Sequence, residues 1–121
     1  MIKISVIIPV YNEEKSINLL INSLQEQTYK PDEIIISDGG STDNTINIIK
    51  ELNSKYSNII TLNRKGRCRG SGRNEGINQA KNSLIALIDA GAFPDKFWLE
   101  NLVESFLSKN DIDIVYGAAK P

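Results

Sequence analysis

Residues 3–10, KISVIIPV, form an almost unbroken apolar and β-branched run, and no other feature restricts the fold as much. A strand with one wet face alternates apolar and polar residues. A run this continuous instead suits a strand covered on both faces, as in parallel sheets. Pro9 is expected to end it, because proline cannot donate to a sheet ladder. The next segment, 14–27, carries Ile17, Leu20, Ile21 and Leu24 at i, i+3, i+4 and i+7, one stripe of an amphipathic helix.

The alternation continues along the chain. EIIIS (33–37) reads as a second buried strand and residues 42–56 as a helix capped by Ser41 or Thr42, with Asp43 favourable in its first turn. Residues 58–62 read as a third strand. A Gly- and Arg-rich loop at 64–76 leads into a weak helix at 74–82. SLIALI (83–88) is the fourth strand, 96–107 a helix, and IDIVY (112–116) a fifth strand. Strand–helix alternation with short connections predicts an α/β fold: a Rossmann-like, open and mainly parallel sheet with helices on both faces. Length, 40% apolar and 24% charged residues, and the lack of repeats or linkers predict a single domain over 1–121.

Composition removes several chemistries. With no histidine, a histidine general base, a His–Cys pair and imidazole zinc sites are excluded. The one cysteine, Cys68, precludes an intrachain disulfide and suits a reducing compartment; lacking a partner base, it reads as an incidental thiol. A net charge of −1 gives no field that favours nucleic acid. The N-terminal apolar run is too short to span a membrane and carries no signal-cleavage pattern, so the expected location is cytoplasmic. A longer parent protein could carry a membrane segment and work at its inner face.

Ligands of open α/β sheets bind outside the carboxyl ends of the strands. There this chain places PVYNEE, SDGGSTDNT, RKGRCRGSGRN and DAG. Asp38 ends the second strand, where its carboxylate is expected to point into the crevice and accept a hydrogen from a base or ribose. Ser41, Thr42 and Asp43 read mostly as turn and cap chemistry. Arg64, Lys65, Arg67, Arg69 and Arg73 lie close in sequence among glycines, which let backbone amides and guanidinium groups approach phosphate. Gly70, Gly72 and Gly76 have neither the spacing nor the position of a dinucleotide fingerprint, and no P-loop occurs. Asp89, after the fourth strand, is expected to face the cations and Asp38. Mg²⁺ or Mn²⁺ is often held by one or two carboxylates plus substrate phosphates, so Asp89 is the candidate metal ligand.

VIIPVYNEE, IIISDGGSTDNT, GRCRGSGRNEGINQA and IALIDAG, in that order, resemble the N-terminal half of the family 2 glycosyltransferases of GT-A fold. The resemblance covers essentially the whole chain. It implies that Pro9, Tyr11 and Glu13 line the base and ribose, that Asp38 reads the base, and that Arg69, Arg73 and Asn74 lie near the diphosphate or ribose. Gly39 stands where the family usually has a second aspartate. The family's D-x-D metal motif is similar to Asp89-Ala90-Gly91, so coordination of a divalent cation would rest on Asp89, and metal dependence is expected to be weak or optional. The implied reaction is sugar transfer with inversion from a nucleotide-diphosphate donor, usually UDP-linked, to a hydroxyl of a glycan or lipid acceptor. The family's catalytic base lies in the C-terminal half, beyond residue 121. The expectation is donor binding without turnover, and a route to self-association through apolar surface exposed after Tyr116.

Three other classes fit less well. A phosphorylatable receiver domain matches in length, in Glu13 and Glu14 after the first strand and in Lys120 after the fifth, but ITLNRKG offers no acceptor aspartate after the third. A nucleotidyltransferase would resemble G-x-G-T-R-x-x-P after the first strand, where this chain has PVYNEE. A non-catalytic nucleotide-binding or assembly module remains the third.

Overall fold

The computed structural model describes residues 2–63 and 69–108, and for Arg69 and Gly70 the backbone alone. The cations Arg64, Lys65 and Arg67, the thiol of Cys68, the fifth strand expected at 112–116 and Lys120 lie outside the described residues. The described elements are β1 (Ile4–Val10), α1 (Ile17–Gln25), β2 (Glu33–Asp38), α2 (Thr45–Lys55), β3 (Ile59–Asn63), α3 (Arg69–Gln79), β4 (Leu84–Leu87) and α4 (Trp98–Leu107).

The strands form one sheet in the order β3-β2-β1-β4, parallel throughout, with Val6 opposite both Ile34 and Ala86. Every residue of β1 and β2 is buried, which accounts for their lack of apolar–polar alternation. Alternate side chains serve opposite faces. Ile4, Val6, Ile8, Val10, Ile34 and Ile36 share one core with the apolar stripes of α1, α2 and α4. Ile7 points to the other face, where α3 lies. The connections β1–α1–β2 and β2–α2–β3 step one way along the sheet and keep their helices on one face. The β3–α3–β4 connection steps back past β1, so a right-handed crossover puts α3 on the opposite face.

This reversal places the topological switch between β1 and β4, where an open parallel sheet leaves a crevice at its carboxyl edge. Position and chain order therefore nominate the ligand site before any side chain is considered.

Four local expectations are corrected. Pro9 does not end β1, which pairs through Pro9 opposite Ser37 and Val10 opposite Asp38. Ile88 N–H donates to the Ile7 carbonyl, so Pro9, two residues on, also faces β4, beyond the last paired residue Leu87. Its missing N–H removes the next ladder bond, which would run to the Ile88 carbonyl, so the pairing with β4 stops at Leu87 while that with β2 continues. The first helix begins at Ile17, not at residue 14, because Asn12 adopts a left-handed φ of 50° and residues 14–16 form a turn.

The second helix begins at Thr45 with Asn44 as its cap, since Ser41 and Thr42 are drawn into hydrogen bonds with Asp38 and Asn12. The third helix starts at Arg69 and ends at Gln79, earlier at both ends than its weak pattern suggests. Gly72 and Gly76 are buried on it, and a Cβ at Gly76 would lie 2.4 Å from Ile7 Cγ2. Close helix–sheet approach, which only glycine permits there, overrides glycine's poor helix propensity.

Candidate donor-binding site

The loop after β1 and the loop after β2 are laced together. Asn12 Oδ1 accepts the backbone N–H groups of Thr42 (2.8 Å) and Asp43 (3.3 Å), and Asn12 N–H donates to Ser41 Oγ at 2.9 Å. Glu13 N–H donates to Thr45 Oγ1 at 2.9 Å, while Asn44 N–H donates to Glu14 Oε2 at 3.0 Å. The left-handed backbone at Asn12 turns its amide into this network, and asparagine is one of the few residues that tolerates it. Residue type and position after a strand were the only sequence signal, and that signal did not single Asn12 out. Together these bonds make two strand-end loops into one wall of the crevice.

Asp38, the last residue of β2, is only 2% exposed. Its Oδ2 accepts the N–H groups of Gly40 and Ser41, each at 3.0 Å, and its Oδ1 accepts the Ser41 hydroxyl. Gly40 has a φ of 90°, which suits glycine at this turn. Asp38 thus shapes the turn whatever else it contacts. Asp38→Ala leaves these donors without their acceptor and is expected to cost about 1–3 kcal/mol, whereas Asp38→Asn keeps an acceptor oxygen and should cost under about half of that. Urea denaturation of both variants decides it: equal losses would remove the turn-shaping role.

Asp43 sits in the same wall. Desolvation raises its carboxyl, but hydrogen bonds from the Thr45 hydroxyl and from the Thr45 and Glu14 N–H groups outweigh this and hold it below the usual aspartate range. Asp43 therefore remains an anion that anchors the first turn of α2.

Across the crevice, Asp89 follows β4 and Arg73 projects from α3. Arg73 Nη2 donates to Asp89 Oδ1 at 3.0 Å, and the two side chains are 39% and 42% exposed. Arg73 Nε is buried and has no hydrogen-bond partner among the described residues. Asp89 therefore meets a cation as expected; it is Arg73, while the Asp38 carboxylate is spent on its own turn.

The remaining candidates are placed as follows. Pro9 is buried in β1, and Tyr11 lies half-buried just beyond its end. Glu13 is half-buried, its Oε2 accepting the Ser16 hydroxyl at 2.7 Å. Asn74 is exposed on α3, and Arg69 starts that helix.

The donor set fits a hard divalent cation in one respect: Asp89 is a half-exposed carboxylate at the switch point. Among the described residues no group of three or more His, Cys, Asp or Glu side chains lies together. An ion at Asp89 would thus draw its other ligands from donor phosphates and water. Gly91 leaves open space, since a Cβ there meets nothing within 4 Å. Among the described residues no helix is long and apolar enough to cross a membrane.

Comparison with known proteins gives concordant results. The family model Glycosyl transferase family 2 matches residues 5–120. Glycosyltransferase AglE of Haloferax volcanii is 35% identical over 117 residues, spanning 94% of this chain and 38% of AglE. The structure of S. aureus TarS 1–349 in complex with UDP-GlcNAc superposes with a TM-score of 0.76 at 30% identity, over 88% of this chain and 31% of that one. The mannosyltransferase PcManGT of Pyrobaculum calidifontis, solved with GDP-Man and Mn²⁺, shares the fold with a TM-score of 0.81 at 24% identity, over 91% of this chain and 33% of that one. The chain thus spans about a third of the length of these proteins.

Proposed function

The chain belongs to glycosyltransferase family 2, and from that membership we propose that it binds the donor for transfer of a sugar, with inversion, from a UDP-linked donor to a hydroxyl of a glycan or lipid acceptor. The observation that carries the proposal is the Arg73–Asp89 pair at the β1/β4 switch point. It sets a cation, whose Nε–H has no acceptor among the described residues, and a carboxylate beside the crevice where an open parallel sheet takes its ligand. TarS, 30% identical, has been solved with UDP and with UDP-GlcNAc, which supports a uridine donor.

In this reading the wall built from Asn12, Glu13 and the Asp38 turn borders the base and ribose, with Pro9 and Tyr11 at its floor. Arg73, with Arg69 and Asn74 on the same helix, addresses the diphosphate. Asp89 would hold Mg²⁺ or Mn²⁺, which when bound would offset charge on the leaving diphosphate. Deprotonation of the acceptor hydroxyl is assigned to a carboxylate outside residues 1–121, so the chain binds donor without turning it over, in the cytoplasm or at the inner face of a membrane.

A thermal-shift panel of UDP, GDP, dTDP and CDP, with and without Mn²⁺, tests this on wild type and Asp89→Ala. The expected result is stabilisation by UDP that grows with Mn²⁺, the Mn²⁺-dependent gain disappearing in Asp89→Ala. At a ligand concentration of 100 Kd the gain would be about 2.7 kcal/mol. No shift with any nucleotide would end the donor-binding proposal, and sugar transfer by the purified chain would end the assignment of the base elsewhere.

A further inference from the structure

We infer that Arg73 is a built-in counter-ion that occupies the metal-ligating carboxylate until a nucleoside diphosphate draws it away. The inference rests on the donor-binding reading above and adds a rule to it: metal alone is opposed, and metal and diphosphate bind in concert. Three observations carry it. Arg73 Nη2 lies 3.0 Å from Asp89 Oδ1, so the one carboxylate at the strand end is already neutralised. Arg73 Nε is buried with no acceptor among the described residues, so its guanidinium donors are not all used by Asp89. The two side chains are 39% and 42% exposed, so the pair is partly hydrated and exchangeable.

Magnitudes favour the exchange. An ion pair this exposed is worth roughly a fivefold preference or less. Charge-assisted hydrogen bonds from a guanidinium to phosphate are worth on the order of tenfold or more each and suit its fork geometry. A diphosphate can therefore take Arg73 from Asp89. A bare divalent cation cannot gain as much, because it must approach Asp89 against a guanidinium that repels it. When diphosphate and cation arrive together, Arg73 moves to phosphate oxygens, Asp89 is freed for the cation, and the positive charge beside the cation is offset by phosphate. No covalent bond is made or broken: the Arg73–Asp89 pair gives way to Arg73–phosphate and Asp89–cation contacts, and the cation releases a water for the carboxylate.

The chain needs no second acid to hold the metal under this rule, because Arg73 withholds Asp89 from free cations and releases it to the complex. Gly91 at the second acidic position then belongs to a site that binds the metal as a nucleotide complex.

The test measures Mn²⁺ affinity by loss of the free-ion electron paramagnetic resonance signal, with and without UDP, for wild type, Arg73→Gln and Asp89→Asn. The prediction is a pair of opposite effects. Arg73→Gln should bind Mn²⁺ alone about tenfold more tightly than wild type, through loss of both the ion pair and the repulsion. The same variant should bind Mn²⁺ with UDP at least about tenfold more weakly. Asp89→Asn should abolish specific Mn²⁺ binding in either case.

If Arg73→Gln binds Mn²⁺ alone no better than wild type while wild type binds UDP with Mn²⁺, the exchange is wrong and the donor reading stands. If wild type binds Mn²⁺ but no UDP, the donor reading falls and the exchange falls with it. Circular dichroism of each variant reports folding, and Arg73→Lys, which keeps the charge but not the fork, should leave the affinity for Mn²⁺ alone within about threefold of wild type. A tenfold gain in Arg73→Lys would also overturn the inference.

Discussion

Gly76→Ala is expected to destabilise the domain by about 1–3 kcal/mol, against the helix-propensity trend. Alanine in place of glycine inside a helix ordinarily gains up to about 1 kcal/mol. Here the added Cβ would lie 2.4 Å from Ile7 Cγ2 and 3.3 Å from Cγ1, and Ile7 is a fully buried side chain in β1 that cannot swing aside. Relief must come from moving α3 off the sheet, and α3 carries Arg73 into the site. Chemical denaturation gives the stability. A cycle with Ile7→Ala isolates the contact, because Gly76→Ala should cost less once Ile7 is truncated. Strict additivity, or a Gly76→Ala variant as stable as wild type, would show that the close approach does not constrain the helix.

Gly91→Asp is expected to tighten Mn²⁺ binding about tenfold, equivalent to about 1.4 kcal/mol. The position has room for a side chain, with nothing within 4 Å of an added Cβ, and its φ is not in the left-handed region. The new carboxylate would stand two residues after Asp89 and add a second anionic oxygen ligand to a half-exposed site. The gain should appear for the ion alone as well as for the ion with UDP, since Arg73 can neutralise only one of the two acids at a time. Isothermal calorimetry with Mn²⁺ checks it. Unchanged affinity in a folded variant would mean that the residue at 91 does not face the ion, and that the shortened motif has no bearing on metal dependence.

Much of the site was legible in the sequence because strand-end position follows from simple periodicity. KISVIIPV and EIIIS mark buried strands and SLIALI a half-buried one, so the polar residues that follow each one fall at the same edge. Asp38 and Asp89 were found that way. What Asp38 does was not legible: its carboxylate serves Gly40 and Ser41, and residue type alone cannot distinguish a ligand-facing aspartate from a turn-forming one. The role of Asn12 is hidden for a related reason, since it depends on a left-handed backbone and on partners Ser41, Thr42 and Asp43 some 30 residues away. The start of α3 is not visible in the pattern because glycine weakens it, while the benefit of glycine at 76 exists only where Ile7 lies beneath it.

The sequence by itself determined the strand–helix alternation, the burial of β1 and β2 on both faces and the family, since each follows from local periodicity or from motifs in order. The tertiary structure alone decided the strand order β3-β2-β1-β4, the side of β1 on which Pro9 ends the pairing, that of β4, and the choice of Arg73 as the partner of Asp89. These are contacts between residues far apart in the chain. Hydrophobic pattern specifies which face of each element is buried; the crossover, the sheet register and the close approach of α3 specify which charged groups then meet.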